Sequence, residues 1–571
     1  MIRSNWSLVA CLIAGTVLFG YRMAYSDLNQ KELKVTTWDA FGYYMYLPSI
    51  VIYNDASQLK WLPEIDSTYQ LTGGQLYQAH KHTNGNYVNK YLGGVAIIES
   101  PFFFMGHAIA LCTDYPADGF SAPYQYALAF GAVLMVFLSL LLLRKILLRY
   151  YSDRASALAI LLLILASNLI QYVSIDSAMS HAWIFPLYVV LLYATIRWHE
   201  TPHWKWAALI GWTIGLATIS RPTEAVMLFI PLLWGTSSKD AAKEKWRMVK
   251  ERRKDVWLAM LFGFIGIFPQ LMYWKMTSGS WVYDVGSSWR FLTPYFRVLF
   301  GFENGWFVYT PITILFVLGF FFMRNQPFRK AVIVFSLLNI WIIIAWADWK
   351  YGATYSTRAL TQSYPVFMLA FAGLLQRALD SRWRWPLIAV GAYLSFVNLF
   401  QIWQYSKVIL HYRDMNRQYY STIYLDANPE PEDMSLLDTD EYVSASDIRS
   451  SYVLAELKQP MQVKNEGEFP DIVLSAKEIQ PGYLHVTLRM KAEEGYAQSY
   501  LNAKITSGEK VKEKVFRMAN AITHASKSNT YGFFIEVPED FKDAEILLFV
   551  SSLAHFKGKV MQAKIESIER Y

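Results

Sequence analysis

Cysteine is almost missing from this chain: there are two in 571 residues, Cys11 and Cys112, in separate apolar segments. That excludes a disulfide framework and a cysteine–histidine metal site, and leaves both as lipid-facing or core residues. Charge is scarce as well. Asp, Glu, Lys and Arg make up 17% of the chain, against 54% hydrophobic and 16% aromatic residues, where an ordinary soluble domain carries roughly 25% charged residues. No glycine-rich phosphate loop and no G-x-S-x-G elbow occurs, so ATP-driven transport and nucleotide-sugar chemistry find no support. Nor is there an internal repeat of the kind that marks many transporters.

What the chain has instead is a succession of uncharged apolar windows, each near the roughly 20 residues that cross a bilayer core. They lie near 5–21, 123–143, 155–175, 177–196, 206–220, 225–238, 256–274, 304–323, 331–347, 359–376 and 385–406, eleven in all. The formal net charge of +7 does not point to nucleic acid, because the bases sit between these windows. "RKILLRYYSDR" (144–154), "KDAAKEKWRMVKERRKD" (239–255), "RNQPFRK" (324–330) and "RALDSRWR" (377–384) alternate with base-poor "SIDSAM" (174–179) and "DWKYGATYSTR" (348–358). That is the positive-inside pattern, with membrane lipids as the surrounding medium. It predicts a cytoplasmic N-terminus and a C-terminal tail on the outer side. Residues 1–24 resemble a signal peptide but lack a small-x-small cleavage site, and read as a retained first span.

Two stretches bear on this count. "VAIIESPFFFMGHAIALCT" (95–113) is apolar enough to be a span, but counting it would invert every basic loop downstream. It reads as a helix dipping into the outer face. "SRPTE" interrupts 206–235, and two short spans meeting at an outer bend that holds Arg221, Pro222 and Glu224 keep the most basic loop inside. The first outer loop then runs over 25–122.

Beyond the last window the character changes. Residues 1–410 form a helical polytopic membrane domain, 411–440 a polar, acidic, proline-containing linker, and 441–571 a set of short alternating runs such as "YLHVTLRMKA" and "AEILLFVSS". Separated by turn-forming pieces at roughly 8–12 residues, these predict an all-β, sandwich-like domain. The fold class is thus an α-helical membrane protein of about eleven spans with an all-β domain on the outer side.

Asp39, in "TTWDAFGYYMYLP", is the first candidate for chemistry. Ionisable groups near membrane depth are functional suspects, although Asp before an apolar run also fits a helix cap. Partial burial beside aromatics would raise its pKa from about 3.9 towards that of a useful base. Cations are uncommon on the outer side, so Arg221, Lys350, Arg358 and Arg290 are candidates for binding an anionic headgroup. Interfacial anchoring is the plainer reading of each, and the stronger one for Arg297. His181, after Asp176 at the outer start of a span, suits a phosphate or a sugar, and Glu99 in "IIESPFFF" faces the same cavity on this reading. Trp38, Tyr43 and Tyr44 stack on a sugar or orient an acceptor, or belong to an aromatic belt. "AHKH" (79–82) is weak as a metal motif, and Asp114 and Asp118 fit a surface turn.

"WDAFGYYMYLP" after a first span, followed by "NKYLGGVAIIESPFFFMGHAIA", resembles the first outer loop of the GT-C glycosyltransferases, the membrane superfamily of protein O-mannosyltransferases, aminoarabinose transferases and oligosaccharyltransferases. "ISRPTEAVMLFIP", "GFENGWFVYTPI" and "ADWKYGATYSTRALTQSYP" look like patterns of its bacterial members. The resemblance covers roughly residues 1–410. It implies a multi-pass protein of the bacterial inner membrane with a periplasmic tail. It also implies a sugar donor on a polyprenyl phosphate and a lipid, glycan or protein hydroxyl as acceptor. Asp39 matches the acidic general base, and Arg358 and Arg221 match positions where the family keeps a cation beside the phosphate. The chain lacks a W-W-D-type signature, "WADW" (346–349) being only an echo, and lacks an acidic metal cluster. No cofactor is therefore expected, and a divalent metal has no support. The alternatives are a lipid or glycan transporter or flippase, whose marks would be a charge buried mid-span and repeated halves where this chain has charges mainly at span ends and no repeat, and a non-catalytic envelope assembly protein with a glycan-binding tail.

Overall fold

The computed structural model describes residues 5–29, 33–465, 471–494, 498–520, 528–553 and 555–571; the first residues of the chain and residues 30–32 of the first loop lie outside these. It divides into two compact units, Met1–Ile402 and Trp403–Tyr571.

The first unit is helical, and every apolar window read from the sequence carries helix. Among the described residues, five helices are long and apolar enough to cross a membrane: Trp6–Tyr25, Gly94–Leu111, Ala122–Leu147, Arg253–Ser278 and Arg384–Ser406. Others are broken. The 206–235 stretch runs as helix Trp204–Thr218, leaves helical geometry at Arg221, and resumes as a 3-10 turn, Pro222–Leu228, and a short helix, Phe229–Leu233. Pro222 explains the break, since proline restricts the preceding residue to extended backbone. The 359–376 window likewise opens with a 3-10 turn, Arg358–Ser363, before helix Tyr364–Leu379.

Gly94–Leu111, read from sequence as a dipping helix, has span length and composition. Its first residue abuts Ser220 just past the end of helix Trp204–Thr218, and Gly106 abuts Tyr124 in the first turn of helix Ala122–Leu147. Both of those helix ends are ones the charge pattern assigns to the outer side.

Helix packing in this unit exploits small residues. A Cβ on Gly211 would lie 1.9 Å from the Ala259 carbonyl oxygen, and one on Gly215 2.3 Å from that of Gly263. Small residues four apart let two backbones approach where apolar surroundings offer no hydrophobic drive. On the basic loop, helix Lys239–Glu251 turns Lys245 back so that its Nζ donates to the carbonyls of Pro231, Leu232 and Trp234 at 2.6–2.7 Å. It caps the open C-terminal end of Phe229–Leu233, where a cation also suits the helix dipole.

The second unit is a two-sheet antiparallel assembly. After a hairpin in the first unit, β1 (Ala79–Lys81) and β2 (Tyr87–Asn89), it supplies β3 (Ile448–Glu456), β4 (Met461–Asn465), β5 (Ile472–Ile479), β6 (Gly482–Glu494), β7 (Ser499–Ser507), β8 (Lys510–Arg517), β9 (Ser528–Val537), β10 (Ala544–Ser552) and β11 (Phe556–Arg570). One sheet has the order β5-β10-β7-β8, and the other β3-β11-β6-β9 with β4 also on β11. Period-two burial builds the shared core: Leu484, Val486, Leu488 and Met490 from β6 meet Ile546, Leu548 and Val550 from β10. The acidic stretch 411–440 belongs to this unit and is tied down. Arg517 bonds Asp414 and Asp438 at 2.6 Å each, and His485 reaches Glu432 at 2.8 Å.

Candidate active site

Asp39 is the first residue of a short helix, Asp39–Tyr44, whose N-cap position is taken by Trp38. Its carboxylate makes no capping bond, so the cap reading fails; the side chain turns away to other partners. Trp38 holds a left-handed backbone (φ 55°) unusual for a bulky residue, and such strain persists only where surrounding contacts over-determine it. Here the Trp38 amide donates to the Leu71 carbonyl, its own carbonyl accepts from Gln78 Nε2, and its ring lies over Gly73.

Three groups converge on the carboxylate. Arg358 donates to Oδ2 at 2.6 Å, while the Tyr77 and Tyr91 hydroxyls donate to Oδ1 at 2.8 and 2.6 Å. The pair is only partly withdrawn from solvent, with Asp39 26% and Arg358 13% exposed. Burial pushes the Asp39 pKa up, but the Arg358 charge and the two phenols outweigh it and hold the group at about 2. This corrects the expectation of a raised pKa, because that expectation weighed burial without a partner.

Each partner is placed by local structure. The β1–β2 hairpin docks on helix Asp39–Tyr44: Asn89 Nδ2 donates to the Gly42 carbonyl, and the Tyr91 ring lies where a Cβ on residue 42 would stand. This brings Lys90 alongside, its Nζ 4.5 Å from the centroid of Tyr77 and 5.4 Å from that of Tyr91. Lys90 ion-pairs with no carboxylate among the described residues. Burial lowers its pKa, and Asp39 and Asp348 act in the other direction. Arg358 opens its 3-10 turn after a buried strap, residues 354–357. The Tyr172 hydroxyl donates to the Tyr355 carbonyl at 2.8 Å, and Ser356 takes a left-handed backbone (φ 57°).

Behind Arg358 lies a buried polar chain. Gln362, in the same turn, donates from Nε2 to Glu224 Oε1 at 2.9 Å and offers Oε1 to His181 Nδ1 at 2.8 Å. The Tyr188 hydroxyl donates to the other Glu224 oxygen, and Arg221 Nη1 stands 3.5 Å from His181 Nδ1.

Of the residues singled out in the sequence, Asp39 and Arg358 are in contact, with His181 and Arg221 in the chain behind them. The others fall elsewhere. Arg290 stacks on Tyr295 and Lys350 on Trp349, and neither bonds the Asp39 carboxylate. Arg297 also lies over Trp349, as an anchoring residue would. Trp38 is exposed and adjoins the site, whereas Tyr43 packs its ring on Tyr91. Tyr44 is wholly buried and donates its hydroxyl to the Gly119 carbonyl, so it offers a substrate no surface. Glu99 is fully buried, and neither carboxylate oxygen has a hydrogen-bond partner among the described residues, so it offers a substrate no surface.

Tyr77, Tyr91, Lys90 and Gln362 escaped the sequence reading. Lys90 is one of five lysines between residues 25 and 122, and nothing in the local sequence set it apart.

Residues 121–274 match a family model described as dolichyl-phosphate-mannose-protein mannosyltransferase. That segment holds His181, Arg221 and Glu224 but not Asp39, Lys90 or Arg358. No curated protein matches the chain. Among solved structures it is similar to the single-particle cryo-EM structure of arabinosyltransferase EmbB from Mycobacterium smegmatis, at 11% identity and a TM-score of 0.33. The match covers 77% of this chain and only 57% of that one, a likeness too slight to transfer residues or activity. Over residues 121–274, then, the chain is similar to the mannosyltransferases of the GT-C superfamily, the group that its loop and span-end motifs resemble.

Proposed function

We propose that the chain is an integral-membrane glycosyltransferase that moves a sugar from a polyprenyl-phosphate-linked donor to a hydroxyl acceptor on the periplasmic face. The observation that carries this reading is the pairing of one partly exposed carboxylate, Asp39, with Arg358, beside a Lys90 that has no carboxylate partner among the described residues.

In the reaction as drawn, Asp39 takes the proton of the acceptor hydroxyl. The acceptor oxygen forms a bond to the anomeric carbon while the bond from that carbon to the phosphate oxygen breaks. The electron pair leaves with polyprenyl phosphate, and the anomeric centre inverts. Lys90, Arg358 and Arg221 stabilise the charge on the departing phosphate, the type of preorganised electrostatic help worth several kcal/mol. The Arg358 pairing gives the donor a second task. An Asp with a pKa of about 2 is a poor base, and a phosphate diester that draws Arg358 towards itself loosens the clamp and restores basicity. Donor binding thereby activates the base before the acceptor reacts.

The test is mass spectrometry of membrane glycolipids and glycans from cells with and without the protein, repeated with Asp39→Asn. One species losing a single sugar both in the deletion and in Asp39→Asn supports the reading. Unchanged glycans in the deletion, or wild-type turnover by purified Asp39→Asn, would refute it.

A further inference from the structure

Trp38 is 58% exposed, although an indole is among the side chains that gain most from burial. Its backbone (φ 55°, ψ −127°) falls in a region that suits glycine and strains a residue with a Cβ. One loop, residues 71–78, grips it together with its neighbour Asp39. The Leu71 carbonyl accepts from the Trp38 amide at 2.9 Å, and Gln78 Nε2 donates to the Trp38 carbonyl at 3.0 Å. Gly73 lies against the indole, where a Cβ would stand 2.2 Å from the ring. Tyr77 of the same loop donates to the Asp39 carboxylate at 2.8 Å. The loop is stiffened in turn: Thr72 bonds Asp66 through both its amide and its hydroxyl. An open aromatic surface is thus fixed next to the proposed base.

That surface is not set as a membrane anchor would be. The exposed loop residues at its side, Gly73, Gly74 and Gln75, carry no apolar side chain. Exposed Trp257, by contrast, lies in the first turns of the little-buried, span-length helix Arg253–Ser278. No cation stacks on the Trp38 indole among the described residues; Lys90 stands over Tyr77 and Tyr91 instead. An aromatic face without a charged partner suits the C–H face of a sugar ring, whose hydrogens meet the negative face of the π-system. Consecutive Cα atoms are about 3.8 Å apart, so a sugar on the indole has hydroxyls within reach of Asp39. We infer that Trp38 is the platform for a saccharide acceptor, seating it with a hydroxyl towards the base. The acceptor hydroxyl then belongs to a glycan, not to a protein side chain. The acceptor role rests on the transferase reading; the contact with a sugar does not.

The test uses the full-length protein in lipid nanodiscs, with the methyl pyranosides of glucose, galactose and mannose as probes and saturation-transfer NMR to read their binding. Wild type should bind at least one of them, and equally well when decaprenyl-phosphate mannose is also bound. Trp38→Gly should weaken that binding about tenfold, the size of one aromatic contact. It should also raise the thermal midpoint, because glycine suits the positive φ. Trp38→Tyr, which keeps a ring, should retain most of the affinity. Binding of none of the three, an affinity unchanged in Trp38→Gly, or a midpoint that falls would overturn the inference. Displacement of the pyranoside by decaprenyl-phosphate mannose would give the indole to the donor sugar and overturn the acceptor role. Pyranoside binding without any binding of decaprenyl-phosphate mannose would overturn the transferase reading and the acceptor role with it, while the sugar contact stands. A second arm labels the protein with 5-fluorotryptophan. The Trp38 fluorine signal, identified by its absence from Trp38→Gly, should broaden with a water-soluble gadolinium chelate. Broadening by spin-labelled lipid instead would make Trp38 a membrane anchor and sink the proposal.

Discussion

The two units treat charge in opposite ways. In the helical unit two carboxylates away from the basic loops are drawn to a cation: Asp39 to Arg358, and Glu224 to Arg221. In the β unit charges are numerous and spread out, as in Lys510–Asp540, where the partners are 52% and 63% exposed. Water screens the second kind, and such pairs contribute little. Withdrawing a charge from water costs far more, so a pair such as Asp39 and Arg358 depends on its partners, and removing one strands the other. Concentrated charge in the helical unit therefore marks a site, whereas dispersed charge in the β unit marks a solvated surface. Arg517 is intermediate: 32% exposed, it fastens the 411–440 stretch through Asp414 and Asp438.

The sharpest way to break this contrast is Asp39→Asn. General-base assistance supplies about 10² to 10⁴ in rate, so turnover in a purified sugar-transfer assay should fall by that factor while donor binding persists. Next comes Leu488→Ala in the β core, which should lower unfolding stability by about 2–5 kcal/mol in a denaturant titration. Per folded molecule, turnover should stay unchanged.

A smaller effect is expected from Gly211→Val, where the added side chain meets the Ala259 backbone. Overpacking of about 1–3 kcal/mol should show as a lower thermal midpoint of the membrane-embedded protein.

Arg358→Ala probes the coupling through pH. Asp39 has a folded pKa of about 2, below its ordinary 3.8, so the bridge contributes stability above pH 3.8 and loses it as pH falls through about 2. Wild-type kcat/KM should therefore show no Asp39 limb between pH 5 and 8. Without the guanidinium, burial acts less opposed, and the acidic limb should move up. An unmoved limb would show that Arg358 does not control the base. The smallest effect is expected from Lys510→Ala on the β surface, which should leave both the melting temperature and turnover unchanged within error.

Much of the architecture was legible because hydropathy and charge are local properties. The apolar windows carry helix, and the alternating tail carries strands β3 to β11. What escaped are features that depend on distant partners. Asp39, the first candidate for chemistry, also fitted a cap because an Asp before "AFGYYMYL" has the right local form, yet Trp38 fills that position once its backbone is pinned by Leu71 and Gln78. Tyr44 and Glu99 read as site residues because of their types and their loop; both are buried in packing that no local pattern reveals. Lys350 and Arg290 read as phosphate ligands from charge alone, and their neighbours are Trp349 and Tyr295.

The sequence by itself determined that an apolar helical unit precedes a β-rich one, and that a lone acid near the first span and an arginine near the tenth are out of place in such surroundings. Only the tertiary structure decided that these two residues, 319 positions apart, hold each other. It also decided that Lys90 stands beside Tyr77 and Tyr91 with no carboxylate partner among the described residues, and that Gln362 links Glu224 to His181. The physical reason is that hydrophobicity and helix propensity act between near neighbours along the chain. A pKa or an ion pair is set by whatever folding brings within a few ångströms.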